Sequence, residues 1–380
     1  MNDTAARPGS RPSYWHLALA LGAYKLLILA SVLALAEVRP DAFSLSGYYD
    51  NFRQAPAREP GLAQWFSTWD AQVHIDVGLH GYQAGSLTAA ALPLWPATIR
   101  LGSLLAPRHV LVVALVLANA FSLLGGLVFH RMVAGRHGTN VADAALLLLM
   151  ASPGALFLQL PYSESLFLLL VAGFFLGLFE ERWGLVAVTS FLLPLTRVIG
   201  VCCVLPLAWR LHERRMRSPL WIVPLLGFGA WLAVLYAGTG HPLEGFRAHR
   251  LVVNQPSIGN VLDLAGFARA FFHVAWGHGM VNSPLDRALF VLFLCALPAL
   301  WRADRTYFFY SLGAGLLPAM TNWFLSYTRF FTLCVPVFVV WALQLEASRP
   351  RRGALLALAG LSWAVQLVLL VRHVTFRWAG

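Results

Sequence analysis

Between Trp69 and Tyr82 the chain reads Trp-Asp-Ala-Gln-Val-His-Ile-Asp-Val-Gly-Leu-His-Gly-Tyr, which places Asp70, Asp76, His74 and His80 in one short segment. Carboxylates at this density suit proton transfer, in which an ionised group removes the proton of an attacking hydroxyl. In a helix, Asp70 and His74 share one face at i, i+4, while Gln72, Asp76 and His80 form a second polar row. The same pattern also fits a solvated interfacial helix whose acids only cap and pair. A second cluster, Pro161-Tyr162-Ser163-Glu164-Ser165-Leu166-Phe167, joins two apolar runs. Pro161 ends one helix, and Ser163 or Glu164 opens the next, where free backbone N–H groups favour a negative partner. Capping alone accounts for those residue types.

Arg197, in Thr196-Arg197-Val198-Ile199-Gly200, and Arg329, in Ser326-Tyr327-Thr328-Arg329-Phe330, stand in apolar sequence. A lone cation there is costly unless it is paired or near water. Each needs an anion: an acid such as Glu164, a lipid phosphate reached by snorkelling, or the phosphate of a ligand shared by both arginines. Residues 239–286 add Glu244, Arg247, His249, Arg250, Asn254 and Gln255, an amphipathic stretch that fits either a substrate rim or a plain interfacial connection. Lys25, alone in the first apolar run, needs no role beyond snorkelling or internal pairing.

The elements that position these residues belong to a membrane protein. The chain is 58% hydrophobic and 12% charged, against roughly 45–50% and 25% in soluble proteins, and so few charges could not cover a soluble surface. The formal charge of +11 comes from arginines scattered between apolar runs, without the basic stripe and interleaved aromatics of a nucleic-acid binder. A span needs about 20 apolar residues, and the runs from Leu17 almost to Val371 predict an all-α polytopic fold with about eleven transmembrane helices. The first run, from about Tyr14 to Ala36, is longer than the apolar core of a signal peptide. Arg7/Arg11, Arg131/Arg136, Arg182, Arg210/Arg214/Arg215/Arg217, Arg302/Arg305 and Arg349/Arg351/Arg352 mark cytoplasmic ends, since positive residues stay on that side.

The opposite face then receives residues 37–108, a folded first extracytoplasmic loop with interfacial helices, and residues 239–286. Trp65, Trp69, Tyr82 and Trp95 suit an interface, and Leu92–Leu105 reads as a short interfacial helix interrupted by Pro93 and Pro96. No repeat or linker divides the chain, so residues 1–380 form a single membrane domain. Cys202, Cys203, Cys295 and Cys334 lie in apolar stretches without metal-ligand spacing and read as buried and inert.

Five blocks, in this order, resemble the second mannosyltransferase of glycosylphosphatidylinositol assembly and its bacterial relatives, the PIG-V type within the type C membrane glycosyltransferases. They are Trp69-Asp70-Ala71-Gln72 running to His80-Gly81-Tyr82, Pro93-Leu94-Trp95-Pro96, Pro161 to Phe167, Thr239-Gly240-His241-Pro242-Leu243, and Ser326 to Arg329 followed by Pro336 and Phe338. The chain departs from the family pattern at His74 (usually tyrosine), at Ala91 and Leu92 (two phenylalanines) and at His241 (an acid), differences that bear on the acceptor.

The resemblance implies an enzyme of the bacterial plasma membrane with an extracytoplasmic active site. It would move mannose from a polyprenyl-phosphate donor to a hydroxyl of a lipid-linked or secreted acceptor, inverting the anomeric configuration. In that reading Asp70 is the base; Arg197, Arg329, Tyr162, Ser163 and Glu164 bind the donor and its phosphate; and Trp69, Gln72, His74, Asp76, His80 and Tyr82 line the substrate. No cofactor is specified, and a divalent metal is left open. Two other classes fit an apolar chain with arginines in its spans. One is a polyprenyl-linked glycolipid flippase or transporter, which should show mid-span charges and paired repeats. The other is a non-catalytic membrane partner subunit.

Overall fold

A computed structural model describes residues 14–43, 47, 60–346 and 348–380. Every regular element among the described residues is helical, as expected of a chain that must satisfy its backbone within lipid. Five helical stretches are long and apolar enough to cross a membrane: Tyr14–Val38, Pro107–His137, Pro219–Thr239, Pro284–Ala303 and Pro350–Val374. Tyr327–Leu333 and Val335–Leu345 add a sixth if counted together, bent by 67° at Cys334.

The expected eleven spans are not matched by eleven long helices. Much of the remaining apolar sequence forms shorter helices, Thr139–Ala151, Glu164–Phe179 and Trp183–Thr196. Each meets a break where the sequence turns prolyl or polar, at Ser152-Pro153, Pro161-Tyr162-Ser163 and Thr196-Arg197. Proline removes a backbone donor, and non-helical backbone is tolerated at membrane depth where protein encloses it. The segment 152–163 meets that condition, being buried throughout.

The helix ends sort by charge. Arg131 pairs with Glu180 at 3.2 Å, Arg136 with Asp304 and Arg214 with Glu181, so the basic ends gather at one end of the bundle. Glu164 opens the helix that Glu180 follows, which places the Ser163–Glu164 cluster at the other end. Arg7, Arg11 and most of residues 44–59 lie outside the described residues. Lys25 is paired internally, its Nζ donating to Asn119 Oδ1 at 3.2 Å and to Ser122 Oγ. Three cysteines are buried, but Cys295 is exposed, on the outward side of Pro284–Ala303.

In the first loop, Asp70–His80 is one helix and Leu94–Ser103 another. The second begins just after Pro93, with Pro96 in its first turn, where a missing N–H breaks no helical bond. The two helices touch at Gly78, where an added Cβ would lie 2.9 Å from the Pro96 carbonyl oxygen. Arg100 Nη1 donates to the carbonyls of Gly78 and Leu79 at 3.1 and 3.0 Å, satisfying acceptors at the end of the first helix.

Candidate active site

Two hydrogen bonds fix the backbone of the site. Trp95, fully buried, donates its indole N–H to the Pro161 carbonyl at 3.0 Å. Tyr162 Oη donates to the Thr68 carbonyl at 3.1 Å. Together they lock the proline-rich block to the Tyr162 block, and the Tyr162 block to the residues preceding Asp70. Between Thr68 and Asp70, Trp69 adopts φ 57°, a left-handed conformation that costs a side-chain-bearing residue roughly 1–3 kcal/mol. The Trp378 ring meets it edge-on, centroids 5.4 Å apart.

Arg329 joins the acids. Its Nη1 donates to Asp70 Oδ2 at 2.6 Å and its Nε to Glu164 Oε1 at 2.5 Å. The same Glu164 oxygen lies 2.9 Å from Arg197 Nη1, which also donates to Ser163 Oγ at 3.2 Å. Two carboxylates and two guanidiniums therefore balance in formal charge. Their exposure is uneven: the side chains of Glu164 and Arg329 are 1% and 5% exposed and Arg197 is 12%, whereas Asp70 is 50% exposed. Asp70 is thus the one member of the four that an incoming group can readily reach.

Aromatic rings hold the cations in place. The Arg329 guanidinium lies 4.7 Å from the centroid of Tyr162 and 5.0 Å from that of Phe157, and Arg197 lies 4.9 Å from that of Phe330, within cation–π range. Desolvation pushes the Asp70 carboxyl up, but the Arg329 guanidinium, helped by His74 and Arg197, outweighs it and holds the pKa below the usual carboxylate range. Burial pushes the neighbouring His74 imidazole down to about 4, so it is neutral at physiological pH.

The sequence profile of a mannosyltransferase family, PIG-V, matches residues 29–217, about half of the chain. The chain belongs to the PIG-V mannosyltransferase family. By class it is a membrane glycosyltransferase. The matched region of this PIG-V member contains Asp70, Glu164 and Arg197, and Arg329 lies beyond it. None of the curated proteins matches its sequence. Among solved structures it is similar to the archaeal oligosaccharyltransferase AglB from Archaeoglobus fulgidus, in complex with an inhibitory peptide and a dolichol-phosphate, with TM-score 0.47, 11% identity and 94% of this chain covered. It is also similar to an Archaeoglobus fulgidus oligosaccharyltransferase tethered to an acceptor peptide, with TM-score 0.44, 10% identity and 97% of this chain covered. The PIG-V-family chain spans 56% of the length of each.

The other residues singled out in the sequence are distributed around this core. Asp76 and His80 pair with each other at 2.8 Å near the far end of the Asp70–His80 helix. Gln72 turns to a different side, donating to the Ser67 carbonyl and lining a cavity with Arg108 and His109. Tyr82 is tethered through its hydroxyl to the Ala91 carbonyl at 3.0 Å.

Asp286 is a residue that sequence reasoning used only as a boundary. It is fully buried and accepts from both the backbone N–H and the hydroxyl of Thr328, each at 2.6 Å, which anchors the short helix carrying Arg329. Its signal was a carboxylate entering an apolar run, which calls for a partner. Gly154 packs so closely on the Thr328 carbonyl that no side chain fits there. Trp378 gave no signal beyond being an aromatic beside arginine.

Proposed function

We propose that this chain transfers a mannosyl residue from a polyprenyl-phosphate donor to a hydroxyl of a lipid-linked or secreted acceptor, on the extracytoplasmic side and with inversion. The observation that carries this reading is the Arg329 bridge, a buried cation with one arm fixed by Glu164 and the other on half-exposed Asp70. A donor phosphate competes with Asp70 for Arg329 Nη1. Displacement frees the carboxylate and removes the charge that depresses its pKa, so Asp70 becomes a better base when donor is in place.

Asp70 then takes the proton of the acceptor hydroxyl as its oxygen bonds to the anomeric carbon. The bond from that carbon to the phosphate oxygen breaks, its electron pair leaves with the polyprenyl phosphate, and Arg329 and Arg197 meet the developing charge. Arg197 retains a buried Nε–H without a partner in the protein, a donor available for that purpose. The extracytoplasmic assignment rests on the basic helix ends lying opposite the cluster.

The test is incubation of the purified protein in proteoliposomes with polyprenyl-phosphate mannose and candidate acceptors, followed by mass spectrometry of the lipids. A mannosylated product that disappears in Arg329→Ala is expected. Transbilayer movement of donor without product would instead establish the flippase reading.

A further inference from the structure

A cavity of about 740 Å³ lies between the second extracytoplasmic stretch and the break that precedes the Arg329 helix, and none of its lining residues belongs to the Asp70 cluster. Its polar walls are Arg247, Arg250, Asn254, Gln255, Asn260 and Trp323, and no acid lines it. Arg250 is exposed and has no ion-pair partner among the described residues, while Arg247 reaches Glu244 only at 3.4 Å. Glu244 is itself engaged by the Gly85 N–H at 2.8 Å. The side-chain amides of Asn254 and Gln255 make no hydrogen bond within the described protein, and the Trp323 indole N–H is buried without a partner. Donors of one sign and unspent amides converge here on open space.

The backbone is strained at the same place. Five of the nine non-glycine residues with positive φ among the described residues line the cavity or adjoin it: Asn254 (67°), Gln255 (42°), Trp323 (46°), Phe324 (69°) and Ser326 (59°). Such conformations persist only where the surroundings enforce them, and they concentrate at binding sites. Here the enforcing bonds converge on the Thr321 carbonyl, from Asn260 Nδ2 at 2.8 Å and from the Ser257 N–H at 3.2 Å. Leu251, Val253, Ile258 and Leu262, on the same stretch, are exposed apolar side chains, which suit contact with lipid rather than water.

We propose that this cavity binds the phosphate-bearing polyol head group of a lipid acceptor. The arginine pair takes the phosphate, the amides of Asn254 and Gln255 take ring hydroxyls as both donors and acceptors, and the apolar residues face the acyl chains. The role of the ligand as acceptor rests on the glycosyl-transfer reading; the binding itself does not.

The test is native mass spectrometry of the full-length protein, wild type and Asp70→Asn, with three added lipids. Phosphatidylinositol offers phosphate and ring hydroxyls, phosphatidic acid offers phosphate alone, and galactosyl diacylglycerol offers hydroxyls alone. Phosphatidylinositol should bind most tightly to both proteins, and Arg250→Ala and Asn254→Ala should each weaken it about ten-fold. Equal binding of the three lipids, or binding unchanged in both variants, overturns the proposal. Competition by inorganic phosphate alone, at concentrations comparable with the lipid, would make this a free-phosphate site and also overturn it. A lipid that binds but is never glycosylated by the wild type would count against the transfer reading and leave this site standing. A lipid glycosylated by Arg250→Ala with unchanged KM would do the reverse.

Discussion

Replacing Asp70 by asparagine removes a proton acceptor while nearly preserving the shape of the side chain. The Asp70–Arg329 pair is half open to solvent on the Asp70 side, so its loss should cost about 1 kcal/mol or less, in the range of exposed pairs. Arg329 remains held by Glu164 through Nε, and the fold should survive. Loss of general-base catalysis lowers turnover by roughly 10²–10⁴-fold, equivalent to about 3–5 kcal/mol of barrier, well above the stability effect. Donor binding should move the other way, because the phosphate no longer competes with a carboxylate for Arg329 Nη1. Single-turnover transfer from labelled donor in proteoliposomes measures the first effect, and donor titration of the same preparation measures the second. Normal turnover by folded Asp70→Asn alongside an inactive Asp76→Asn would assign the base to the wrong acid. Weaker donor binding by Asp70→Asn would refute the competition at Arg329.

Arg329→Lys and Arg197→Lys keep a charge but lose the planar fork; both should weaken donor binding, Arg329→Lys more, since its guanidinium bridges two acids, and donor titration of the two proteins checks the order. Asp286→Ala leaves the buried N–H and hydroxyl of Thr328 unbonded, a loss of about 3 kcal/mol that a thermal unfolding assay in detergent should detect. His74 stays neutral in the folded protein down to about pH 4, whereas in an unfolded chain it protonates near 6.5, at roughly its model value. The unfolded state therefore binds more protons between those values, and stability falls as pH drops from about 6.5 to about 4; His74→Phe should flatten part of that decline, with His278, also pushed down to about 4 by burial, retaining the rest. A Gln83→Cys thiol, in a Cys295→Ser background, should react with an impermeant maleimide in intact cells, and labelling only after lysis would put the site on the cytoplasmic side.

Local patterns were legible in the sequence where neighbours in the chain are neighbours in space. The helical reading of Asp70–His80, the Asp76–His80 pair and a short helix within Leu92–Leu105 depend on contacts a few residues apart. Glu164 was also weighed as a partner for the arginines, because a buried cation must find an acid. The order of the network was not legible: Arg329 meets Asp70 across 259 positions, and no periodicity encodes that distance. Hydropathy overstated the number of long helices because it averages across Pro153, Pro161 and Arg197, where the backbone leaves the helix. Asp286 escaped because its partner, Thr328, is uncharged and lies in another block.

The short helices have a consequence for how deep the reaction sits. Sixteen residues, the length of Glu164–Phe179, rise about 24 Å, about one helical turn less than a hydrocarbon layer of about 30 Å. That helix is buried almost throughout, so neighbouring protein rather than lipid surrounds it, and its length is free of the bilayer's thickness. On the transfer reading, a phosphate drawn to its first residue brings the nearest isoprene units between protein side chains, while the rest of the tail stays in lipid. Donor preference should then follow the shape and saturation of the first isoprene units far more than the total length of the chain.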